Sequence, residues 1–286
     1  MKKILVTGAT GFIGEYVIEQ LLKSDCTVIA SSTSIIKAQQ KPWFSSVKYI
    51  PFDLKNFDNR TDYVAYFDNP DSIIHLAWEG LPNYKSSFHI EENLPRHYTF
   101  LSNLITNGLT ELTITGTCME YGMQEGCLSE EMDTQPGTAY AIAKDMLRRQ
   151  LQQLQETKNF ALKWIRLFYM YGKGQNPNSL LSQIDRALAN KESVFNMSGG
   201  EQVRDYLPVE KVATHIKRIA LQDEVAGIIN CCSGSPITVK SLVEKYLTEK
   251  GQHIHLNLGY YPYPDYEPMR FWGDACKLKM TPMPLD

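Results

Sequence analysis

The chain has 286 residues, of which 43% are hydrophobic and 21% charged. That is enough apolar material for a sizeable core in one large unit or two small ones. A formal net charge of -3 and a pI near 6.1 exclude the basic footprint of a nucleic-acid or anionic-membrane binder. Lys2-Lys3 is followed by only Ile4-Leu5-Val6 before a glycine-rich turn, too short for a signal-peptide core, and no apolar run reaches membrane-spanning length. A cytoplasmic protein is expected. The six cysteines contain no CxxC pair and the six histidines no metal-ligand spacing, so reduced thiols and no catalytic metal are expected.

In chain order, residues 3–7 read as a short buried strand and residues 8–14 as a glycine-rich turn. Ile13, Val17 and Leu21 then recur at helical spacing, and the pattern stops near Ser24. Further strands are expected at residues 27–30, just before Phe52-Asp53-Leu54, and at 72–77, 112–116, 162–167 and 227–230. Helical patterns separate several of them, as from Asn93 to Thr106. Such alternation implies right-handed βαβ units and a parallel sheet, an α/β Rossmann architecture. Residues 172–196 and 260–266 interrupt it and read as parts of a smaller C-terminal substrate-binding lobe over the carboxyl edge of the sheet. The expected division is 1–171 and 172–286, with residues 204–235 returning to the sheet.

Gly8, Gly11 and Gly14 lie where the first strand becomes the first helix, where missing side chains let backbone amides approach a pyrophosphate. Later in the chain, Tyr140 and Lys144 stand four residues apart, on one helix face. An ammonium beside a phenol lowers its pKa from about 10, which suits proton exchange with a carbonyl or alcohol.

The stretch Thr7–Gly14, TGATGFIG, resembles the extended short-chain dehydrogenase/reductases that act on nucleotide sugars. The resemblance implies a dinucleotide held by Gly8, Thr10, Gly11, Phe12, Ile13 and Gly14, by Asp53-Leu54 at the adenine, and by Leu76-Ala77 after His75. Asn93 matches the asparagine of the fourth-helix region. The acidic residue that binds the NAD ribose after the second strand is replaced by Ser31-Ser32-Thr33, with Lys37 further on; no carboxylate repels a 2′-phosphate there, which favours NADP(H) over NAD(H). In Thr117-Cys118-Met119-Glu120-Tyr121-Gly122, the resemblance makes Thr117 the catalytic hydroxyl, with Thr115 a neighbour. Tyr140 then transfers the proton, and Lys144 holds the nicotinamide ribose and tunes the phenol. Arg204-Asp205-Tyr206 resembles the segment whose arginine grips a sugar-nucleotide diphosphate, an ion pair with Asp205 being the alternative. Glu267 aligns loosely with a ribose contact; Tyr169 stands where the family has a substrate-binding asparagine; Arg270 is a loose match for a C-terminal arginine. Tyr260, Tyr261, Tyr263 and Tyr266 either stack on a base or pack between lobes.

Three chemistries share this scaffold. The 4,6-dehydratases carry Thr-Asp-Glu where this chain has Thr117-Cys118-Met119, which argues against dehydration. The GDP-fucose synthases epimerise with a cysteine two places after the hydroxyl and a histidine after the sixth strand. Here those positions are Met119 and, approximately, Gly174, and strand alternation would turn Cys118 to the opposite face. The resemblance is narrowest to reductases of dTDP-4-keto-6-deoxyhexoses. It implies NADPH-dependent reduction of a 4-keto sugar, with a UDP-hexose 4-epimerase and a non-catalytic NADP-binding redox sensor as alternatives. The helix from Tyr140 to about Gln155 carries an apolar stripe of Met146, Leu147, Leu151 and Leu154, which either joins a homodimer or is buried within one subunit.

Overall fold

The protein is described by a computed structural model over residues 1–282. In chain order come β1 (Lys2–Thr7), α1 (Phe12–Leu21), β2 (Cys26–Ser31), β3 (Lys48–Tyr49), β4 (Ser72–His75), α2 (Leu94–Thr106), β5 (Glu111–Thr117), α3 (Ala139–Gln155), β6 (Ala161–Leu167), α4 (Leu180–Ala189), α5 (Val209–Ala220), β7 (Gly227–Cys231) and α6 (Val239–Glu249). The seven strands form one parallel sheet in the order β7-β6-β5-β4-β1-β2-β3. This is a doubly wound Rossmann sheet. Its order reverses between β1 and β4, so the loops leaving those two strands diverge and open a crevice at the carboxyl edge.

Strand chemistry explains the layers. Ile4, Leu5 and Val6 are all fully buried, as a strand covered on both faces requires. Successive side chains then part. Ile4, Val6, Val28, Ala30 and Ile74 join the cluster packed by α1 and α5. Leu5, Ile29, Ile73, Leu112, Ile114 and Trp164 join the cluster packed by α2 and α3. Each such side chain contributes about 1.5–3 kcal/mol on burial.

Beyond the sheet, Leu181 and Ile184 of α4 pack with Phe195, Met197, and Val239 and Val243 of α6 in a separate apolar cluster. Short strand pairs tie this lobe down: Tyr169–Tyr171 runs parallel to Tyr206–Pro208, and Gly126–Leu128 parallel to Phe271–Gly273. The fully buried Asp205 carboxylate accepts the backbone N–H groups of Ser233 and Gly234 at 2.7 and 2.9 Å. Among the described residues no helix is long and apolar enough to cross a membrane. On α3, Leu147 and Leu151 are fully buried in the chain's own core, while Met146 is 40% exposed.

Candidate functional site

At the end of β1, Gly8 takes φ +70°, and a Cβ there would stand 2.8 Å from the backbone nitrogen of Ala77. At Gly14 a Cβ would stand 2.3 Å from the Gly8 carbonyl oxygen. Only glycine lets the loop fold this tightly against the chain leaving β4. Gly11 is the N-cap of α1 and offers no side-chain acceptor, so the helix's leading N–H groups keep their hydrogen-bonding capacity for an anion. A dinucleotide diphosphate fits this cradle.

A cavity of about 250 Å³ opens beside the loop. Of the residues expected there, Gly8, Thr10, Gly11, Ser31, Ser32, Thr33, Asp53, Leu54, Leu76 and Ala77 line it. Phe12, Ile13 and Gly14 do not. The Phe12 ring packs edge-on to Tyr16, Ile13 packs on the core, and Gly14 lies beneath the loop. Three hydrogen bonds shape the far wall. The Asp53 carboxylate accepts the Lys55 N–H at 2.9 Å, and Tyr49 Oη donates to the Ser32 carbonyl at 2.9 Å while meeting Ser32 Oγ at the same distance. Asn93 also lines the cavity and donates through Nδ2 to the Glu79 carbonyl at 3.1 Å, pinning the loop after β4.

Trp78 and His97 are wall residues that sequence reasoning missed. Their rings stack with centroids 4.5 Å apart. His97 Nδ1 meets His75 Nε2 at 2.7 Å, and His75 Nδ1 meets the Thr7 hydroxyl at 2.8 Å. Burial, aided by the Lys144 charge, pushes His75 down to about 3, so the imidazole is neutral. The signal for Trp78 was its place directly after His75-Leu76-Ala77.

Thr138 caps α3 by accepting the Ala141 N–H, which sets Tyr140 in the first helical turn, and Tyr140 N–H donates to the Tyr84 carbonyl at 3.0 Å. One turn on, Lys144 is 2% exposed; its Nζ donates to the Thr115 carbonyl at 2.8 Å and lies 4.1 Å from the Trp78 ring centroid. Thr117 ends β5 and accepts the Met119 N–H at 3.2 Å. Tyr140 and Lys144 both pack on Trp78, which lines the first cavity, and Lys144 bonds the strand that Thr117 ends.

Their electrostatics differ from expectation. Burial raises the Tyr140 phenol well above its ordinary value, with Tyr84, Glu120 and Cys118 adding to the rise and the Thr117 hydroxyl opposing it. Lys144 does not lower it, because its ammonium is turned onto Thr115 and Trp78. Burial instead brings Lys144 down to about 7, against the pull of Glu120. The site holds a neutral phenol.

The chain after Thr117 also departs from the expected geometry. β5 ends there and turns into a 3₁₀ helix over Cys118–Tyr121. Strand alternation no longer applies, and Cys118 and Met119 line the same cavity, of about 300 Å³, with Thr138, Tyr169, Tyr266, Glu267 and Phe271. Burial raises the Cys118 thiol far above its usual value, so it is a poor proton carrier.

A third cavity, of about 280 Å³, shares Tyr169 and Glu267 with the second and adds Phe195, Asn196, Gln202, Arg204 and Tyr261. Arg204 does not pair with Asp205. Its guanidinium donates to Glu267 Oε2 at 3.2 Å and to the carbonyls of Val203 and Met269, with Phe271 stacked 4.5 Å away. Of the expected substrate residues, Tyr169 and Glu267 line both adjoining cavities and Arg204 lines the third, whereas Thr117 lines neither and Arg270 is exposed. The tyrosines divide: Tyr261 lines the third cavity, Tyr266 the second, and Tyr260 is 59% exposed.

The chain is 28% identical over 275 residues, 94% of its length and 98% of the relative's, to the dTDP-6-deoxy-L-talose 4-dehydrogenase (NAD(+)) of Aggregatibacter actinomycetemcomitans. It is 24% identical over 255 residues, 84% of its length and 79% of the relative's, to the dTDP-4-dehydro-6-deoxyglucose reductase of Escherichia coli. Its fold matches the UDP-glucuronic acid 4-epimerase of Bacillus cereus, solved with UDP-glucuronic acid and NAD, with a TM-score of 0.83 and 21% identity, covering 98% of this chain and 92% of that one. Residues 4–232 match the NAD dependent epimerase/dehydratase family over most of the chain, glycine cradle and Thr117, Tyr140 and Lys144 included, and the protein is an enzyme of that family.

Proposed function

We propose that this enzyme reduces the C4 ketone of a dTDP-linked 4-keto-6-deoxyhexose, with NADPH preferred to NADH. The products would be of the dTDP-fucose or dTDP-6-deoxytalose type, sugar donors for a surface polysaccharide. The observation that carries the reading is the buried Tyr140, packed among Trp78, Tyr84 and His89, with a phenol that burial holds neutral. A group held protonated is a donor, which is what reduction needs.

Residues of the glycine loop, Ser31–Thr33, Asp53, Leu76 and Ala77 would hold the dinucleotide, which when bound supplies the hydride. Tyr140 gives its proton to the sugar oxygen as the carbonyl becomes an alcohol, and solvent restores it. The Thr117 hydroxyl accepts the Met119 N–H and so keeps its own proton to donate to that oxygen. Lys144 supplies positive charge beside the developing alkoxide. Arg204 would grip the diphosphate in the third cavity, exchanging Glu267 for phosphate oxygens. Met119 and Phe271 in the second cavity suit a C6 methyl group, and Cys118, held protonated, leaves Tyr140 as the principal proton carrier.

Two relatives named for dTDP-6-deoxyhexose redox chemistry support the substrate class. The absence of a carboxylate in Ser31–Thr33 supports NADPH. The exposed Met146 on α3 supports a homodimer through that face. Purified enzyme given NADPH and dTDP-4-keto-6-deoxyglucose should consume one NADPH per sugar, with lower kcat/KM for NADH. No NADPH loss, with interconversion of UDP-hexoses instead, would make it a 4-epimerase.

A further inference from the structure

Glu120 is fully buried, and neither the expected constellation nor the family resemblance gives it a role. Its Oε1 accepts the Thr117 backbone N–H at 2.9 Å. Trp164 Nε1 donates to the same carboxylate at 3.0 Å, and Arg166 Nε at 2.8 Å, both from β6. Gly116 makes room for this: a Cβ there would stand 2.4 Å from Glu120 Oε1 and 2.2 Å from Trp164 Nε1. Arg166 is in turn held 4.3 Å from the Tyr121 ring centroid, and Tyr121 Oη donates to Asn230 Oδ1 at 2.8 Å.

We infer that Glu120 is a positioning residue for the reaction: its carboxylate fixes the end of β5 that carries Thr117 and supplies negative charge to the Lys144 site. Burying an ion pair is seldom a net gain in stability over apolar packing, so a carboxylate sealed here calls for another use. Two strands and a tight turn converge on it, and the constellation stands on that turn. Lys144 bonds the same strand at the Thr115 carbonyl. The groups facing Lys144 from its surroundings are Tyr140 on its own helix, His75 on β4, His97 on α2 and His89 on the turn before α2. The phenol is neutral, and burial keeps the three imidazoles below their usual value. The negative charge acting on Lys144 comes from Glu120.

The inference rests on the ketoreductase reading only for its kinetic arm. Glu120→Gln keeps an oxygen for the Thr117 N–H and removes the charge. Because that variant strands Arg166, Glu120→Gln with Arg166→Met is made beside it, so that no buried cation is left unpaired. Lysine labelled with ¹³C at Cε is titrated by NMR without substrate, Lys144 being assigned by its loss in Lys144→Met. In the folded variant the Lys144 midpoint should move to lower pH. Above that midpoint kcat should fall about tenfold for each unit moved, with KM little changed. A purely structural role would leave the midpoint in place. An unmoved midpoint in either folded variant overturns the inference, whereas a midpoint that shifts in the variants of an enzyme whose wild type reduces no keto sugar would sink only the ketoreductase reading.

Discussion

Tyr140 and Lys144 stand one helical turn apart as a neutral acid and a cation that burial makes easy to discharge, the ammonium turned onto Thr115 and Trp78. Tyr140→Phe removes one hydroxyl and keeps the ring contacts with Trp78, Tyr84 and His89. Turnover should fall by about 10²–10⁴-fold while cofactor affinity stays within a few-fold, as steady-state kinetics and titration calorimetry would read. Retained turnover would remove Tyr140 from the acid role. Lys144 carries a cost in stability. Its folded value of about 7 lies below its ordinary value of 10.5, so between those two pH values the unfolded chain binds more protons. Its contribution is therefore most unfavourable below pH 7 and fades as the pH rises towards 10.5. Lys144→Met should abolish turnover and raise Tm, by about 2–4 °C per kcal/mol recovered, with the gain largest at or below pH 7 and shrinking at pH 9. A lower Tm in the variant at every pH would refute the burial cost. The i, i+4 spacing was readable from the sequence. The charge states were not, because they depend on burial and on where Nζ points once Thr115 and Trp78 surround it.

At the scale of elements, the glycine loop and the end of β5 do different work. The loop is a matter of space. Gly14→Ala would push a Cβ into the Gly8 carbonyl at 2.3 Å, so the β1–α1 turn must open. Dinucleotide affinity should drop by at least tenfold, read by fluorescence titration, with the far-ultraviolet spectrum nearly unchanged; unaltered affinity would show that the turn does not seat the diphosphate. This was legible, since a strand, glycines and a helix in that order leave few alternatives. The end of β5 was less so. Thr117 and Glu120 form a capping box, and the T-x-x-E spacing was present in the sequence. Taking residues 117–119 as strand hid it and placed Cys118 on the wrong face. The same limit explains Arg204: its partner Glu267 lies 63 residues away, and no local pattern announces such a pair.

For the molecule as a whole, the parallel sheet followed from the alternation of strands and helices, whereas the strand order and its switch point between β1 and β4 depend on which strands pair. The short strands beyond the sheet were not legible, because they are two or three residues long and become strands only by pairing. The glycine loop lines one cavity and the buried Arg204 another, and Tyr140 packs against Trp78 in the wall of the first. The central claim is that a hydride goes to the sugar carbon while Tyr140 protonates its oxygen. The direct measurement uses NADPH carrying deuterium at its transferable position and dTDP-4-keto-6-deoxyglucose, with the product read by NMR. One deuterium at C4 of a 6-deoxyhexose, on a single face and with one NADPH consumed per product, is the predicted result. NADPH left unconsumed, or product without deuterium at C4, would contradict it.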